Sequence, residues 1–460
     1  MDRHDSLSPL DYRYYSGSLF DSLQPYLSEN AAINYQIKVE VALVKTLAER
    51  KLCSEKIAEE IEEASKKVTA SEVYDEERRI KHNIRALVNC IRRKVSAQAR
   101  PYVHFTATSN DIVSTSEALR LKDACQKVLV PELIKLEKAL IDIAEREKET
   151  LQIGRTHGQH AEPITFGFTM ASYVSRLGGR IVKIKEASEN VRGKFAGAVG
   201  AYNASSLLIK DAEEFEKAVL KKLGMKPGSH ATQLVEAEYV TDLMHSVISA
   251  MGVLANVADD MRHLQRSEIS EVYEKFETEQ VGSSTMPHKR NPINFENVKS
   301  MWKEFMPRMS TVYMDQISEH QRDLTNSASS RFNTEIVAAG VMSAARLTRV
   351  MSKLKVDKTS LKKNFETSAD MIAAEPSYIL LAWTGHPDAH EAVRKKTLEA
   401  EKTGKKFVDL LLKDKDLKPY IKKMSKTQVE ILKKPEKYTG LAAAKTKKVC
   451  DEWKATLRIK

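Results

Sequence analysis

Long stretches of the chain place apolar residues at helical spacing, and the alternation typical of strands is scarce. One stripe keeps its apolar positions three or four residues apart, and therefore on one helix face; it consists of Val240, Leu243, Val247, Met251, Leu254 and Ala258. A second stripe consists of Leu133, Leu136, Leu140 and Ile143. Helix bundles bury stripes of this width, so we interpret both as core positions without chemistry. The pattern predicts an all-α protein with long helices.

Glycine, proline and helix-capping residues collect at four breaks in this pattern, which lie at residues 106–111, 154–163, 197–203 and 281–292. Long helices are expected to begin or end there. Thr108 or Ser109 is the predicted N-cap of the helix that follows the first break. The second break is predicted to be a polar loop ending at Pro163, a residue suited to a first helical turn. The fourth break is predicted to be a long loop, in which Asn291 can cap the next helix.

The length of 460 residues exceeds what one compact core holds, which favours two or three helical units. No internal repeat or low-complexity linker marks the boundaries, and we place them at breaks in the helical pattern. The predicted division is an N-terminal helical domain at residues 1–105, a central helical bundle domain at 106–345 and a C-terminal helical domain at 346–460.

The composition indicates the class of protein and its expected location. Apolar residues at 42% and charged residues at 30% are ordinary for a soluble globular chain, and no apolar run approaches the roughly 20 residues of a membrane span. The first residues lack a basic patch followed by an apolar stretch, so we expect no targeting segment and a cytoplasmic location. The four cysteines, which are expected to be reduced thiols, are Cys53, Cys90, Cys125 and Cys450.

The formal net charge of +11 suits nucleic acid, an acidic surface or a small polyanionic substrate as the partner. Much of the excess is lysine in the last hundred residues, in pairs such as Lys405 and Lys406 that are interleaved with Glu and Asp. Solvated helical surfaces usually have this composition. The charge therefore indicates neither a nucleic-acid site nor a membrane-binding surface.

The most informative segment is residues 282–297, GSSTMPHKRNPINFEN. A loop with glycine and serine hinges can close over a substrate and bring a serine to a carbon acid. Removing a proton next to a carboxylate builds negative charge there, which a cation and hydrogen-bond donors must stabilise; Lys289 and Asn291 can supply both. The segment resembles the signature loop of the fumarase and aspartase superfamily. The resemblance implies three helical domains with a central long-helix bundle.

Other segments resemble one family within this superfamily, the adenylosuccinate lyases. They are residues 8–14 (SPLDYRY), 155–163 (RTHGQHAEP) and 321–325 (QRDLT), the last followed by Ser327 and Arg331. The resemblance implies a carbon–nitrogen lyase of purine synthesis. Such an enzyme eliminates fumarate from adenylosuccinate, giving AMP, and from the succinyl-carboxamide imidazole ribotide, giving its amide.

Four residues match catalytic positions of the family. Ser283 matches the general base that takes the proton from the succinyl carbon; because serine is a poor base in water, it needs the closed loop with its donors and cations. His157 matches the general acid that protonates the departing nitrogen, a task that suits a group titrating near neutrality. Glu296 matches the carboxylate that orients this histidine, and Lys289 is the cation of the signature loop.

A larger set of residues matches substrate-binding positions. Arginine suits phosphate because its guanidinium can bind two oxygens at once, and a helix start offers hydroxyl and N–H groups to a carboxylate. The resemblance therefore implies the phosphate at the arginines and the succinyl group at the helix start. The expected substrate-binding residues are Arg13, Tyr14, Lys81, His82, Asn83, Thr108, Ser109, Gln233, Ser284, Asn291, Asn297, Arg322, Ser327 and Arg331.

Two histidines do not match the family in a simple way. His82 precedes Asn83 where the family often has Asp, so the chain lacks a negative charge that would orient and charge the ring. His104 lies shortly before Thr108. For His104, a packed and hydrogen-bonded ring and a direct role remain alternatives, and we do not count it as catalytic.

The resemblance also implies a homotetramer with active sites shared between subunits, a small nucleotide substrate, and no nucleic-acid or membrane partner. We expect no cofactor and no metal, since the sequence contains no GxxxxGK[ST], GxGxxG after a strand, HExxH or GxSxG motif. Two alternatives remain. Another lyase or cycloisomerase of the superfamily would share the loop but not the phosphate recognition. A non-catalytic helical protein, structural or binding nucleic acid through the net charge of +11, would have no need for the catalytic set of Ser283, His157, Lys289 and Glu296.

Overall fold

The structure is a computed structural model. It describes Ser8, Leu10, Arg13, Tyr14, residues 18–276, Thr285, Met286 and residues 288–460. Two expected site residues, Ser283 and Ser284, therefore lie outside the described residues.

Helices make up most of the described chain. Those before residue 150 are α1 (Ser18–Leu27), α2 (Glu29–Glu49), α3 (Glu55–Ser65), α4 (Ala70–Ile80), α5 (Asn83–Arg92), α6 (Ser109–Ala124) and α7 (Val130–Arg146). The next are α8 (Phe166–Asn190), α9 (Ala212–Lys222), α10 (Glu238–Leu264), α11 (Ile293–Phe305), α12 (Arg308–Met314) and α13 (Asn333–Met351). The last are α14 (Lys358–Ile372), α15 (Ala374–Trp383), α16 (Ala389–Thr403), α17 (Phe407–Lys413), α18 (Lys418–Ile421), α19 (Lys426–Lys433) and α20 (Ala442–Leu457). The prediction of an all-α fold is confirmed.

Short irregular elements and strands connect these helices. A π-helical turn at Cys125–Leu129 joins α6 to α7, and 3₁₀ turns lie at Arg100–Tyr102, Ser205–Leu207, Ser329–Phe332 and Pro435–Lys437. The strands are β1 (Leu151–Thr156), β2 (Gln159–Thr165), β3 (Arg192–Gly193), β4 (Lys226–Pro227), β5 (Val272–Tyr273) and β6 (Lys355–Val356). They form three two-stranded sheets, of which β1–β2 and β5–β6 are antiparallel and β3–β4 is parallel.

The chain divides into two compact units. The first contains Met1–Ile134, Gly179–Ala255 and Val298–Arg346, and the second contains Lys135–Gly178, Asn256–Asn297 and Leu347–Lys460. In the first unit, α2 packs against α3, α6 and α9. In the second, the hairpin of β1 and β2 packs against α14, and α15 packs against α16. The division into domains at residues 105 and 345 stays a prediction.

The two predicted apolar stripes are core positions, as expected. The α10 stripe buries all its members from Leu243 to Ala258, and the α7 stripe buries all four of its members. Among the described helices, α10 alone combines the length and mean hydropathy of a membrane span, and 67% of its apolar window is buried inside the structure. Burial of this kind is what a core helix requires.

The second break is a β-hairpin, so the prediction of a polar loop was wrong. Strand β1 pairs with β2, and Pro163 lies opposite Ile153 within the sheet instead of in the first turn of α8. Its two-residue turn, His157 and Gly158, has positive φ angles of 53° and 76°, as a type I′ turn requires. A bulge after Ile153 interrupts the alternation of side chains. Because of that bulge, and because the turn lacks an Asn-Gly signal, the period of two was not evident in the sequence.

The predicted helix starts at the first and fourth breaks are confirmed. Thr108 is the N-cap of α6, and its backbone N–H donates to the Asp111 carboxylate at 2.8 Å. At the start of α11, the N–H groups of Asn294 and Phe295 donate to the Glu274 carboxylate at 2.9 and 3.1 Å. Glu274 thus caps α11, and capping by Asn291 stays a prediction.

Candidate functional site

A cavity of about 850 Å³ lies within the first unit. Its walls come from α2, α4, α6, the start of α10 and residues 312–334. Binding sites for small molecules commonly have volumes of this order. Six of the expected substrate-binding residues line it; they are Lys81, Asn83, Ser109, Arg322, Ser327 and Arg331.

The turn between α4 and α5 brings Lys81 and Asn83 to the cavity. Lys81 ends α4 in the left-handed conformation with a φ of 56°, and His82 is the N-cap of α5. The His82 Nδ1 accepts the backbone N–H of Arg85 at 3.2 Å, so a neutral ring carries its proton on Nε2. His82 is exposed and is not one of the residues that line the cavity. A backbone N–H thus orients the ring, and the next residue is the uncharged Asn83.

A buried ion pair holds the start of α6, where Ser109 faces the cavity. The Asp111 carboxylate accepts the N–H of Thr108 on one oxygen, and Lys194 and the N–H of Gly197 on the other. Lys194 is fully buried, as is Asp111. The sequence does not reveal this pair because the two residues lie 83 positions apart. An isolated lysine between a glycine and a phenylalanine was the only available signal.

Gln233 joins the start of α6 to the segment with the two arginines. Its Oε1 accepts the Asn110 Nδ2 at 3.1 Å and the Arg322 Nη1 at 2.9 Å. Burial lowers the pKa of Arg322, and the nearby Asp323 partly offsets this effect. A guanidinium remains cationic under such conditions. The cavity therefore presents fixed cations beside hydroxyl and amide groups, a combination that suits a phosphorylated ligand.

Arg13 and Tyr14 are not among the residues that line the cavity. Arg13 is exposed and Tyr14 is half-buried. Their expected role in phosphate binding stays a prediction.

The expected catalytic residues that the structure describes lie in the second unit. His157 is at the exposed tip of the β1–β2 hairpin, and Glu296 lies in the first turn of α11. Lys289 precedes that helix and is exposed. Asn291 and Asn297, expected to bind substrate, flank the same helix start. Within the described part of the chain, no hydrogen bond joins His157 to Glu296, so their expected pairing stays a prediction.

The base of the signature loop is held by side chains that the sequence analysis did not consider. The Gln265 amide accepts the N–H of Glu274 at 2.9 Å through Oε1 and donates to the carbonyl of Arg290 at 3.2 Å through Nε2. It therefore connects residues before and after the loop. Glu274, through its bonds to the first turn of α11, fixes the helix that carries Glu296.

A second carboxylate that the sequence did not reveal, Glu271, lies just before β5 and holds strand β1 of the hairpin. It accepts hydrogen bonds from Gln152, Arg155 and Asn364. As for metal ions, the described residues contain no group of three or more His, Cys, Asp or Glu side chains placed to hold one.

Comparison with known proteins identifies the family. A family model described as Lyase matches residues 16–306, and one described as Adenylosuccinate lyase C-terminal matches residues 318–439. The adenylosuccinate lyase of Archaeoglobus fulgidus is 33% identical over 447 residues, which cover 96% of this chain and 97% of that protein. The adenylosuccinate lyase of Methanocaldococcus jannaschii is 32% identical over 463 residues, with 99% of this chain and 97% of that protein covered.

A solved structure shows the same fold at lower sequence identity. It is the 3-carboxy-cis,cis-muconate lactonizing enzyme of Pseudomonas putida, with a TM-score of 0.82, 22% identity, and coverage of 98% of this chain and 100% of that chain. At this identity the likeness concerns the fold alone. The sequence relatives go further, because they are 32–33% identical over nearly the whole chain. This chain belongs to the adenylosuccinate lyase family.

Proposed function

We propose that this lyase eliminates fumarate from adenylosuccinate, giving AMP, and from the succinyl-carboxamide imidazole ribotide, giving its amide. The observation that carries the proposal is the cavity of the first unit. It gathers Lys81 and Asn83, Ser109, and the residues from Arg322 to Arg331 around one space, although they come from three distant parts of the sequence. A phosphorylated substrate with a dicarboxylate arm requires such a mixture of cations and hydrogen-bond donors.

The proposed chemistry needs one base, one acid and charge stabilisation. Ser283 takes a proton from the succinyl methylene carbon, and Lys289 stabilises the negative charge that develops on the carboxylate next to that carbon. The electron pair left on that carbon forms the double bond of fumarate as the carbon–nitrogen bond breaks. His157 gives its proton to the departing nitrogen. No cofactor or metal takes part in this scheme.

Binding is proposed to use two groups of residues in the cavity differently. Arg322, Ser327 and Arg331 bind the phosphate, together with Arg13 and Tyr14. The hydroxyl of Ser109 and the free N–H groups at the start of α6 bind the succinyl carboxylate. Thr108 and Gln233 fix these groups, as their hydrogen bonds to Asp111 and Arg322 indicate.

We also propose a cytoplasmic homotetramer whose active sites are shared between subunits. Two observations support the assembly. His157 and Glu296 are exposed and are not paired with each other. This is expected of residues whose partners belong to another subunit. In addition, large apolar side chains between residues 313 and 332 are exposed in the single chain, and surfaces of this kind are commonly buried in interfaces; they are Tyr313, Met314, Ile317, Leu324 and Phe332.

The test is a direct assay of the purified protein. Ultraviolet absorbance follows the conversion of adenylosuccinate, and chromatography confirms AMP and fumarate. Ser283→Ala and His157→Ala are expected to remain folded and to lose most of the activity, while the exposed His390→Ala serves as a matched control. Arg331→Met is expected to raise KM more than it lowers kcat, because it removes a phosphate contact.

Two outcomes would change the proposal. If the protein is inactive on adenylosuccinate but turns over argininosuccinate or a carboxymuconate, the nucleotide substrate is wrong and the proposed type of reaction still holds. A His157→Ala variant with the wild-type rate would remove the assignment of the general acid.

A further inference from the structure

The hairpin that carries His157 needs support from the rest of the protein. A two-stranded hairpin is at best marginally stable by itself, and the His157 end of this one is exposed. A catalytic group must be held to within about 0.5 Å of its productive position. The location of the His157 imidazole therefore depends on the contacts that hold the strands of the hairpin in place.

One fully buried carboxylate, Glu271, binds three side chains that hold the hairpin in place; they belong to Gln152 near the start of β1, Arg155 near its end, and Asn364 on α14. Its Oε2 accepts the Gln152 Nε2 at 2.9 Å and the Arg155 Nη1 at 3.2 Å. Its Oε1 accepts the Arg155 Nη2 at 2.6 Å and the Asn364 Nδ2 at 2.9 Å. Glu271 has an exposed fraction of 0%, and Arg155 is mostly buried. The arrangement is a bidentate ion pair with two further donors, which is the geometry in which a buried charge is best satisfied.

The carboxylate itself is held by its own backbone. The N–H of Glu271 donates to the carbonyl of Leu264 at 2.9 Å, and its carbonyl accepts the N–H of Asp357 at 2.9 Å. The next residues form β5, which pairs with β6. Asn364, one of the donors, also binds the carbonyl of Ile269 at 2.8 Å. These contacts hold the backbone of Glu271 in place.

Two of the donors to Glu271 lie on β1, close to the catalytic residue. Arg155 precedes His157 by two residues and Gln152 precedes it by five, which places them about 7 and 17 Å from it along an extended strand. A small rotation at these anchors is amplified at the tip of the hairpin. Because a displacement of about 1 Å at a reacting group can cost about 100-fold in rate, the anchor acts on chemistry without touching the substrate.

We propose that Glu271 is a positioning residue for the elimination and that it sets the place of the His157 imidazole through Arg155 and Gln152. This inference rests on the proposed function, because it takes His157 as the proton donor. It adds a residue outside the signature loop and outside the substrate cavity to those on which the rate depends. It also gives Arg155 a role distinct from substrate binding.

The first experiment compares Glu271→Gln with wild type. The amide keeps the size of the side chain and one acceptor oxygen but removes the charge that binds Arg155. We expect kcat to fall about 10- to 100-fold with KM changed by less than about threefold. The matched control is Glu268→Gln, at a position three residues before Glu271, which removes an exposed carboxylate that is paired with Arg266. This control is expected to leave both parameters unchanged.

The decisive experiment places Glu271→Gln in a His157→Ala background. If Glu271 acts through His157, the double variant has the rate of His157→Ala alone, because groups that act as a unit are not additive. A loss that multiplies with that of His157→Ala would overturn the proposal and leave Glu271 a merely structural residue.

Amide hydrogen exchange separates failure of this inference from failure of the proposed function. Glu271→Gln is expected to speed exchange in residues 151–165 at least about tenfold and to leave α7 unchanged. Unchanged exchange in the hairpin would overturn the inference even if the wild-type protein turns over adenylosuccinate. If Glu271→Gln speeds exchange in the hairpin but the wild-type protein lacks turnover, or its His157→Ala variant is fully active, the result contradicts the proton-transfer role of His157 and not the anchor.

Discussion

Two glutamates of the second unit are equally buried and have opposite surroundings. Glu271 and Glu137 both have an exposed fraction of 0%. Glu271 accepts four hydrogen bonds, two of them from a guanidinium, whereas neither carboxylate oxygen of Glu137 has a hydrogen-bond partner. Burial raises the pKa of Glu137 to about 9. The comparison shows that the partners of a buried carboxyl, and not its depth, decide whether it is a charged anchor or a neutral acid.

Glu40 in the first unit stands between these two cases. Its Oε1 lies 2.7 Å from the Nδ1 of His104, while its Oε2 has no partner. Burial lowers the pKa of His104, but the charge and the hydrogen bond of Glu40 outweigh this effect and raise the pKa overall. The contact favours a packed, hydrogen-bonded His104, one of the two alternatives left open by the sequence. The three carboxyls form a series from fully paired to unpaired, and the following predictions test it.

The largest effect is expected from removing the fully paired carboxylate. Glu271→Ala leaves the guanidinium of Arg155, with a side chain 18% exposed, without its counter-charge. We expect a loss of about 3–5 kcal/mol in the free energy of unfolding, measured by urea unfolding at one fixed protein concentration. The double variant Glu271→Leu with Arg155→Met, which removes both charges, should recover most of it. A loss below about 1 kcal/mol for Glu271→Ala would mean that the pair is no anchor.

The unpaired carboxyl is expected to make stability depend on pH. The pKa of Glu137 is about 9 in the folded protein against an ordinary value of 4.5, so between these values the folded state holds a proton that the unfolded state has lost. Its contribution to stability is present below the ordinary pKa and is lost as the pH rises toward 9. The expected slope is about 1.4 kcal/mol per pH unit.

Glu137→Met tests this slope because it keeps the volume of the side chain and cannot ionise. Its free energy of unfolding is expected to exceed that of wild type at pH 8 and to vary less between pH 5 and 9. If the free energy of unfolding changed with pH equally in the two proteins, Glu137 would have a partner in solution and would not differ from Glu271 in this respect.

The half-paired carboxyl is expected to give a smaller effect with the same sign. Because Glu40 raises the pKa of His104 above its ordinary value of 6.5, the pair stabilises the protein below that value and less so as the pH rises through the folded pKa. Glu40→Gln should therefore cost about 1–2 kcal/mol near pH 5.5 and less near pH 8.5. Thermal unfolding at both pH values measures the difference. If Glu40→Gln destabilised the protein more at pH 8.5 than at pH 5.5, the pair would not stabilise the protonated form of His104.

The sequence predicted the features that repeat locally. The stripes of α7 and α10, and the N-cap at Thr108, follow from spacing and residue type, because both depend on neighbours within a few positions. The signature loop and the residues that line the cavity were recognised by resemblance. Their chemistry was predicted, but the contacts that hold them in place were not.

The missed contacts join residues far apart in the sequence. Arg155 and Glu271 are separated by 116 positions, and Asp111 and Lys194 by 83. No period or spacing relates such residues, and a glutamate in a polar stretch has the same appearance whether it becomes Glu271 or an exposed side chain. Glu137 shows the reverse case. Its sequence position on an amphipathic helix gave no indication of a buried acid without partners.

The smallest effect is expected where two carboxyls share a hydrogen bond near the surface. Burial raises the pKa of Glu162 on β2, and the charge and hydrogen bond of Glu375 raise it further; Tyr438 donates to the same Glu375 carboxylate at 3.0 Å. The stability that this shared proton provides is present at low pH and is lost as the pH rises. Glu162→Gln should raise the melting temperature at pH 8 by no more than about 1 °C, with no gain at pH 4, because water screens this exposed side chain. If Glu162→Gln changed the stability at pH 8 as much as Glu137→Met does, the exposure of a carboxyl would not weaken its effect on stability as proposed.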